Sequence, residues 1–233
     1  MRNMISCNRL YCETDRNALP FIGKKSTETI CSMRDNAANF DFNQKGSFIM
    51  NLYIDACVRK NSRTRRLAEY LLNTLNAPYI RLRLEECIFP EVDEEFLEKR
   101  NRLLREGDFE NPIFAYARQF AQADEIIIAA PFWDLSFPAV LKSYLEQINV
   151  VGITFRYTPE GIPEGLCRAK RLYYVTTAGG EFVPEQYGFG YIKALAQSFY
   201  HIKDIELIKA TGLDIEGASV EKILRDCEEK IGR

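Results

Sequence analysis

Two hydrophobic rhythms run along the chain, and both begin abruptly at Ile49-Met50-Asn51-Leu52-Tyr53-Ile54. Leu52–Ala56 predicts a buried strand. Ser62 is a natural N-cap for a helix over Arg63–Leu75, where Leu67, Leu71, Leu72 and Leu75 share one face. Tyr79–Leu84 alternates apolar and charged residues, as an outer strand does. Asp93–Glu106 predicts a charged helix with Phe96, Leu97, Leu103 and Leu104 as its apolar contacts, closed by Gly107. Pro112 opens a further helix to Gln122. Next come Ile126, Ile127 and Ile128 followed by small residues, the signature of a central parallel strand covered by helices on both faces.

The second half continues the alternation. Pro138–Ile148 predicts a helix, and Gly152–Leu166 an excursion with a short hairpin. Arg171–Thr177 predicts a strand, Tyr191–Tyr200 a helix, Ile205–Ala210 a strand and Ser219–Ile231 a helix. Strands and helices in this order predict an α/β three-layer sandwich with a five-stranded parallel sheet, one domain over residues 50–233.

Residues 1–49 do not share these rhythms. They are rich in Asn, Ser, Thr and Asp, and their best apolar cluster is Leu19-Pro20-Phe21-Ile22. No continuous apolar stretch of secretory-signal type occurs there. The expectation is an unpatterned extension outside the folded domain, an over-called gene start with Met50 as the first translated residue. A flexible tail is the alternative.

Composition narrows the chemistry. Hydrophobic residues make up 46% and charged residues 27% of the 233, the balance of a globular chain. Net charge is −2, so no basic field invites nucleic acid or anionic lipid. No apolar run approaches the length of a membrane span, and the seven cysteines are scattered without a C-x-x-C pair. Both features predict a cytoplasmic protein without a metal site. The one histidine, His201, excludes any multi-His site. It is expected at the C-terminal end of a helix with no chemical role. Cys57 is expected to be a small buried residue.

In an open parallel sheet, ligands bind outside the carboxyl ends of the strands. Three loops converge there. Cys57–Arg65 has no glycine, so it is neither a dinucleotide fingerprint nor a Walker loop. Its hydroxyls Ser62 and Thr64 sit beside a helix N-terminus, with Arg59 and Arg63 adding charge, a combination suited to phosphate. A capping serine with solvated arginines fits equally. Pro131-Phe132-Trp133-Asp134-Leu135 puts aromatic rings directly after the central strand, which calls for a planar cofactor, a dimer contact or both. Thr177-Ala178-Gly179-Gly180 either brings backbone amides close to a ligand or makes an ordinary turn. Glu181, Phe182, Tyr187 and Phe189 follow as a lid or, more simply, a surface loop.

Ala129-Ala130-Pro131-Phe132-Trp133-Asp134-Leu135-Ser136-Phe137-Pro138 resembles the flavin-contacting loop of the FMN-dependent NADH-azoreductases, which belong with the flavodoxin-like NAD(P)H:quinone oxidoreductases. Gly152-Ile153-Thr154-Phe155-Arg156-Tyr157 followed by Pro163-Glu164-Gly165-Leu166 is similar to a second stretch of that family, and Thr176–Gly180 to its third flavin loop. The resemblance implies a flavodoxin-like fold, FMN as cofactor, NADH or NADPH as donor, and quinones or azo compounds as acceptors. It implies FMN phosphate at Ser62, Arg63 and Thr64 with Arg59 nearby. It sets the isoalloxazine against Pro131, Phe132, Trp133, Asp134 and Leu135, and the ring edge at Thr177, Ala178, Gly179 and Gly180. It also implies a homodimer and no catalytic side chain, because hydride transfer belongs to the flavin. Two departures stand out. The first loop is short, with Ala56-Cys57 where relatives carry serines, and the aromatic loop reads Phe-Trp-Asp-Leu. An FMN electron carrier and a flavin-free binding protein on the same fold are the competing classes.

Overall fold

The computed structural model describes residues 50–231. The expected N-terminal extension, with Cys7, Cys12 and Cys31, lies outside the described residues. The main sheet holds five strands, β1 (Asn51–Asp55), β2 (Tyr79–Arg83), β3 (Glu125–Ala129), β6 (Arg171–Thr177) and β7 (Asp204–Ala210), all parallel, in the order β2-β1-β3-β6-β7. The Gly/Pro-rich excursion forms the expected hairpin of β4 (Phe155–Tyr157) and β5 (Pro163–Gly165). Six α-helices join them: α1 (Arg63–Leu75), α2 (Glu94–Glu106), α3 (Ala115–Gln122), α4 (Ala139–Ile148), α5 (Phe189–Ser198) and α6 (Val220–Glu228).

The layers follow from residue alternation on the central strands. On β1, Leu52 and Ile54 face one side of the sheet, where Phe120, Leu141 and Ile192 of α3, α4 and α5 cover them. Tyr53 faces the other side, with Leu67 and Leu71 of α1 and Leu224 of α6. The isoleucines of β3 split the same way, Ile126 and Ile128 against Ile127, so both core layers close on this strand. The charged alternation of Tyr79–Arg83 corresponds to β2 at the sheet edge.

α1 and β6 fall where expected and most other element ends lie within two residues; three places need an account. The segment after Pro112 begins as a 3-10 turn, Pro112–Phe114, capped by Asn111, and becomes α-helical at Ala115. α6 stops at Glu228, short of Ile231, although Ile231 remains buried. α5 ends at Ser198, so His201 is not a helix residue. It sits exposed in the turn beyond, at φ 61°. The reason is the tight approach of β5: a Cβ at Gly165 would fall 2.3–2.5 Å from the Tyr200 and His201 backbone, which crosses there instead of continuing the helix.

Candidate functional site

The sheet order reverses between β1 and β3, whose following connections depart in opposite directions and leave a crevice at the carboxyl edge. On one wall, Ser62 caps α1 with its hydroxyl accepting from the Arg65 amide at 3.3 Å. The first amides of α1 lack intrahelical partners and carry the positive end of the helix dipole. Residues 56–62 reach this helix without glycine, and the side chain that organises them is Arg65. Its Nε donates to Asp55 at 2.9 Å, its Nη1 to the carbonyls of Arg59 (2.7 Å) and Lys60 (3.0 Å), and its Nη2 to the carbonyl of Cys57.

Asp55 is fully buried and also accepts from Arg81 at 2.8 Å and from the Cys57 amide at 3.0 Å. Burial alone would raise its carboxyl. The hydrogen bonds from Arg81, the Cys57 amide and Arg65 together outweigh that and hold it below the usual carboxylate range. Beside it, burial and then the Asp55 charge push the Cys57 thiol up to about 12, so this buried cysteine stays a thiol.

The second wall begins where β3 ends. Ala130 and Phe132 continue the pairing with β6 through Val175 and Thr177 carbonyls, both at 3.0 Å. Then Trp133 and Ser136 exchange backbone hydrogen bonds of 3.1 and 2.7 Å across a tight turn. Its two central residues, Asp134 and Leu135, both take positive φ, 48° and 69°. The pair is exposed and does not line the crevice, whereas Pro131, Phe132 and Trp133 do. Ser136 Oγ donates to the Tyr187 carbonyl at 2.8 Å and ties the turn to the segment after Gly180. Phe182 and Tyr187 in that segment are exposed, as a surface loop would leave them.

The floor comes from Thr177 to Gly180. Thr64 and Thr177 share a buried hydroxyl–hydroxyl hydrogen bond of 2.6 Å, so Thr64 joins α1 to β6. Beyond β7, Leu213 and Asp214 donate their amides to Ala178 (3.2 Å) and Gly179 (2.9 Å). Asp214 also pairs with Arg63 at 2.6 Å. A Cβ on Gly179 would lie 2.3 Å from Asp214 Oδ2, whereas one on Gly180 would meet nothing within 4 Å. Gly179 is therefore small to admit Asp214, and neither glycine needs a left-handed backbone.

These loops enclose a cleft of about 320 Å³. It gathers Arg59, Ser62, Arg63 and Thr64 from the first loop, Pro131, Phe132 and Trp133 from the second, and Thr177, Ala178 and Gly179 from the third. Asp134, Leu135 and Gly180 do not line it. The first two sit exposed at positive φ, and Gly180 lies one residue beyond Gly179, the last lining residue of the loop after β6. Val58, Asn61, Leu213 and Asp214 line it without having been anticipated. The loop after β7 also ends at the carboxyl edge beside β6, and Gly212-Leu213-Asp214 directly after the last strand was the available signal. Among the described residues, no three His, Cys, Asp or Glu side chains group as metal ligands do. No described helix is long and apolar enough to cross a membrane.

Comparison with known proteins extends the picture. A family model described as Flavodoxin-like fold matches residues 51–233. The chain is 43% identical over 122 residues to an FMN-dependent NADH:quinone oxidoreductase of Clostridium beijerinckii, an alignment covering 52% of this chain and 61% of that one. It is 37% identical over 190 residues to FMN-dependent NADH:quinone oxidoreductase 2 of Clostridium perfringens, covering 77% of this chain and 94% of the relative. Thus the chain spans about three fifths of the first relative and nearly all of the second. An azoreductase structure from Bacillus anthracis superposes with TM-score 0.69 at 23% identity, covering 79% of this chain and 97% of that one, a likeness of fold.

Proposed function

The chain belongs to the Flavodoxin-like fold family, and on that premise we propose that it is an FMN-dependent NAD(P)H oxidoreductase passing two electrons to quinones or azo compounds. The observation that carries this reading is the cleft at the β1/β3 crevice, with helix-start amides at one end and an aromatic wall at the other. The donor set fits FMN chemically. The amides of α1, the Ser62 hydroxyl and the cations Arg59 and Arg63 suit a phosphate dianion. Pro131, Phe132 and Trp133 suit a flat ring system. The relatives' names supply NADH and quinone.

Bound FMN supplies the two-electron redox chemistry. The chain's own residues bind, orient and exclude water. The Arg63 guanidinium is held by Asp214 and lines the same cleft that a phosphate would enter. Phe132 and Trp133 form a wall that keeps one ring face from solvent. The backbone from Thr177 to Gly179 lines the floor over which a bound ring would lie. Donor and acceptor use this cleft in turn. Asp134, Leu135 and Gly180 belong to its surroundings in this reading.

Exposed Trp133, Leu135, Phe182 and Tyr187 support a homodimer that covers them. The four cysteines among the described residues are unpaired, which supports a cytoplasmic protein. The domain in this reading is residues 50–233.

Anaerobic mixing of the yellow protein with NADH or NADPH tests the activity. Bleaching of the flavin followed by recovery on adding a quinone is the expected result. A flavin that does not bleach assigns an electron carrier instead, and protein that stays colourless with added FMN defeats the flavin reading. Trp133→Ala is expected to weaken both flavin binding and turnover.

A further inference from the structure

A loop without glycine owes its shape to side chains. Residues 56–62 contain none, yet they turn sharply from β1 into α1. Arg65 accounts for the turn. Its guanidinium donates to three loop carbonyls, those of Cys57, Arg59 and Lys60, while Nε is anchored on Asp55. Asp55 is itself immobilised by Arg81 and the Cys57 amide, so the anchor is rigid. The Arg65 side chain is only 9% exposed. It makes no part of the cleft lining.

The peptide plane converts this into a statement about the cleft. In a trans peptide, C=O and the following N–H point in opposite directions. No cis bond occurs among the described residues. Turning the carbonyls of Cys57, Arg59 and Lys60 onto Arg65 therefore turns the amides of Val58, Lys60 and Asn61 away from it. Two of these residues, Val58 and Asn61, line the cleft, as does Arg59 between them. Carbonyls gathered inward and amides presented outward make an anion-binding concavity.

We infer that Arg65 is a positioning residue that never touches the ligand but shapes the 58–61 backbone into a cradle for the flavin phosphate; this rests on the FMN reading. Only arginine meets the requirement. The guanidinium presents donors in a planar fork, enough for one carboxylate and three carbonyls at fixed angles. The single nitrogen of lysine cannot span them.

A merely structural arginine would lower stability and weaken every ligand alike. A positioning arginine lowers the part of the affinity that depends on phosphate. The full-length chain stripped of flavin is titrated with FMN and with riboflavin, which has the same ring and no phosphate, by quenching of flavin fluorescence. Wild type is expected to prefer FMN. In Arg65→Lys that preference falls about tenfold, the scale of one hydrogen bond to a charged group, while riboflavin affinity changes less than about twofold. Riboflavin binding doubles as the check on folding. Asp55→Asn, which leaves Arg65 in place and loosens its anchor, is expected to move the ratio the same way by less. A folded Arg65→Lys that keeps the wild-type preference overturns the role of Arg65 and leaves the FMN reading standing. If Arg65→Lys does not fold, an Asp55→Asn protein with the wild-type preference overturns it. Wild type that binds the two flavins equally removes the phosphate reading and this inference together.

Discussion

The Asp214 carboxylate lies where a side chain at position 179 would stand, and this makes Gly179→Ala a sharp test of the cleft floor. The added Cβ would fall 2.3 Å from Oδ2, 3.0 Å from Cγ and 3.1 Å from Cβ of Asp214. The outer oxygen can swing aside, because the Asp214 side chain is 66% exposed. Its Cβ cannot, because the Asp214 amide is pinned to the Gly179 carbonyl at 2.9 Å. The substitution must shift backbone and pull the carboxylate from Arg63. Overpacking of this kind costs about 1–3 kcal/mol, and losing an exposed ion pair adds at most about 1 kcal/mol. Gly179 does not sit at positive φ, so alanine returns about 0.4–1 kcal/mol by restricting the unfolded chain. The net expectation is destabilisation by about 1–2 kcal/mol. In an Asp214→Gly background the three nearest atoms, all of the Asp214 side chain, are gone, and the same change becomes stabilising by about 0.4–1 kcal/mol. The sign reverses, with a coupling of about 2 kcal/mol between the sites. Urea unfolding of the four proteins with a common slope measures it. Gly180→Ala, whose Cβ meets nothing, is the control and should stabilise in both backgrounds. Equal destabilisation by Gly179→Ala in both backgrounds would refute the reasoning.

Three further outcomes follow from the same contacts. Asp55 is held below its ordinary range when folded, so its contribution is fully present above the unfolded value and is lost as pH falls through the lowered folded one. Asp55→Ala, which leaves Arg65 and Arg81 without their buried partner, should cost about 3–5 kcal/mol at neutral pH, and its deficit against wild type should shrink below about pH 4 in acid-unfolding curves. Thr64→Val strands the buried Thr177 hydroxyl and should cost about 1–3 kcal/mol, most of it recovered when Thr177→Val is added. With its thiol at about 12, Cys57 should escape iodoacetamide in the native protein and react once urea unfolds it, read by peptide mass spectrometry; rapid native labelling would contradict its burial.

The fold was legible because it rests on periodicity, and periodicity is local. Ile126, Ile127 and Ile128 announce a strand covered on both sides, and both core layers meet on them. The alternation of Tyr79–Arg83 announces an edge. The misplacement of His201 has the opposite cause. Phe199-Tyr200-His201-Ile202 is apolar enough to read as helix, but Tyr200 packs edge-on against Phe120 while the backbone passes Gly165 too closely for another turn. Neither neighbour is near in sequence, so no window along the chain contains the stop signal.

The candidate site divides along the same line. Residues at loop starts, such as Ser62, Pro131 and Thr177, were readable because strand ends and helix caps locate the carboxyl edge. Asp134 and Leu135 were not separable from their neighbours, since a leucine gives no sign that its φ will be positive; only the reciprocal Trp133–Ser136 pairing imposes it. Asp214 and Arg65 were invisible for a deeper reason. Asp214 matters through Gly179 and Arg63, and Arg65 through Asp55, Arg81 and three carbonyls. In sequence Arg65 is one of several arginines on an amphipathic helix, indistinguishable from Arg63 and Arg66. Only the fold sorts the three: Arg63 lines the cleft, Arg66 spans to Glu221 and Glu228 on α6, and Arg65 turns into the interior. A charge in the first turn of a helix that follows a buried strand is therefore worth testing as an organiser of the loop between them, before it is counted as a ligand contact or dismissed as solvated.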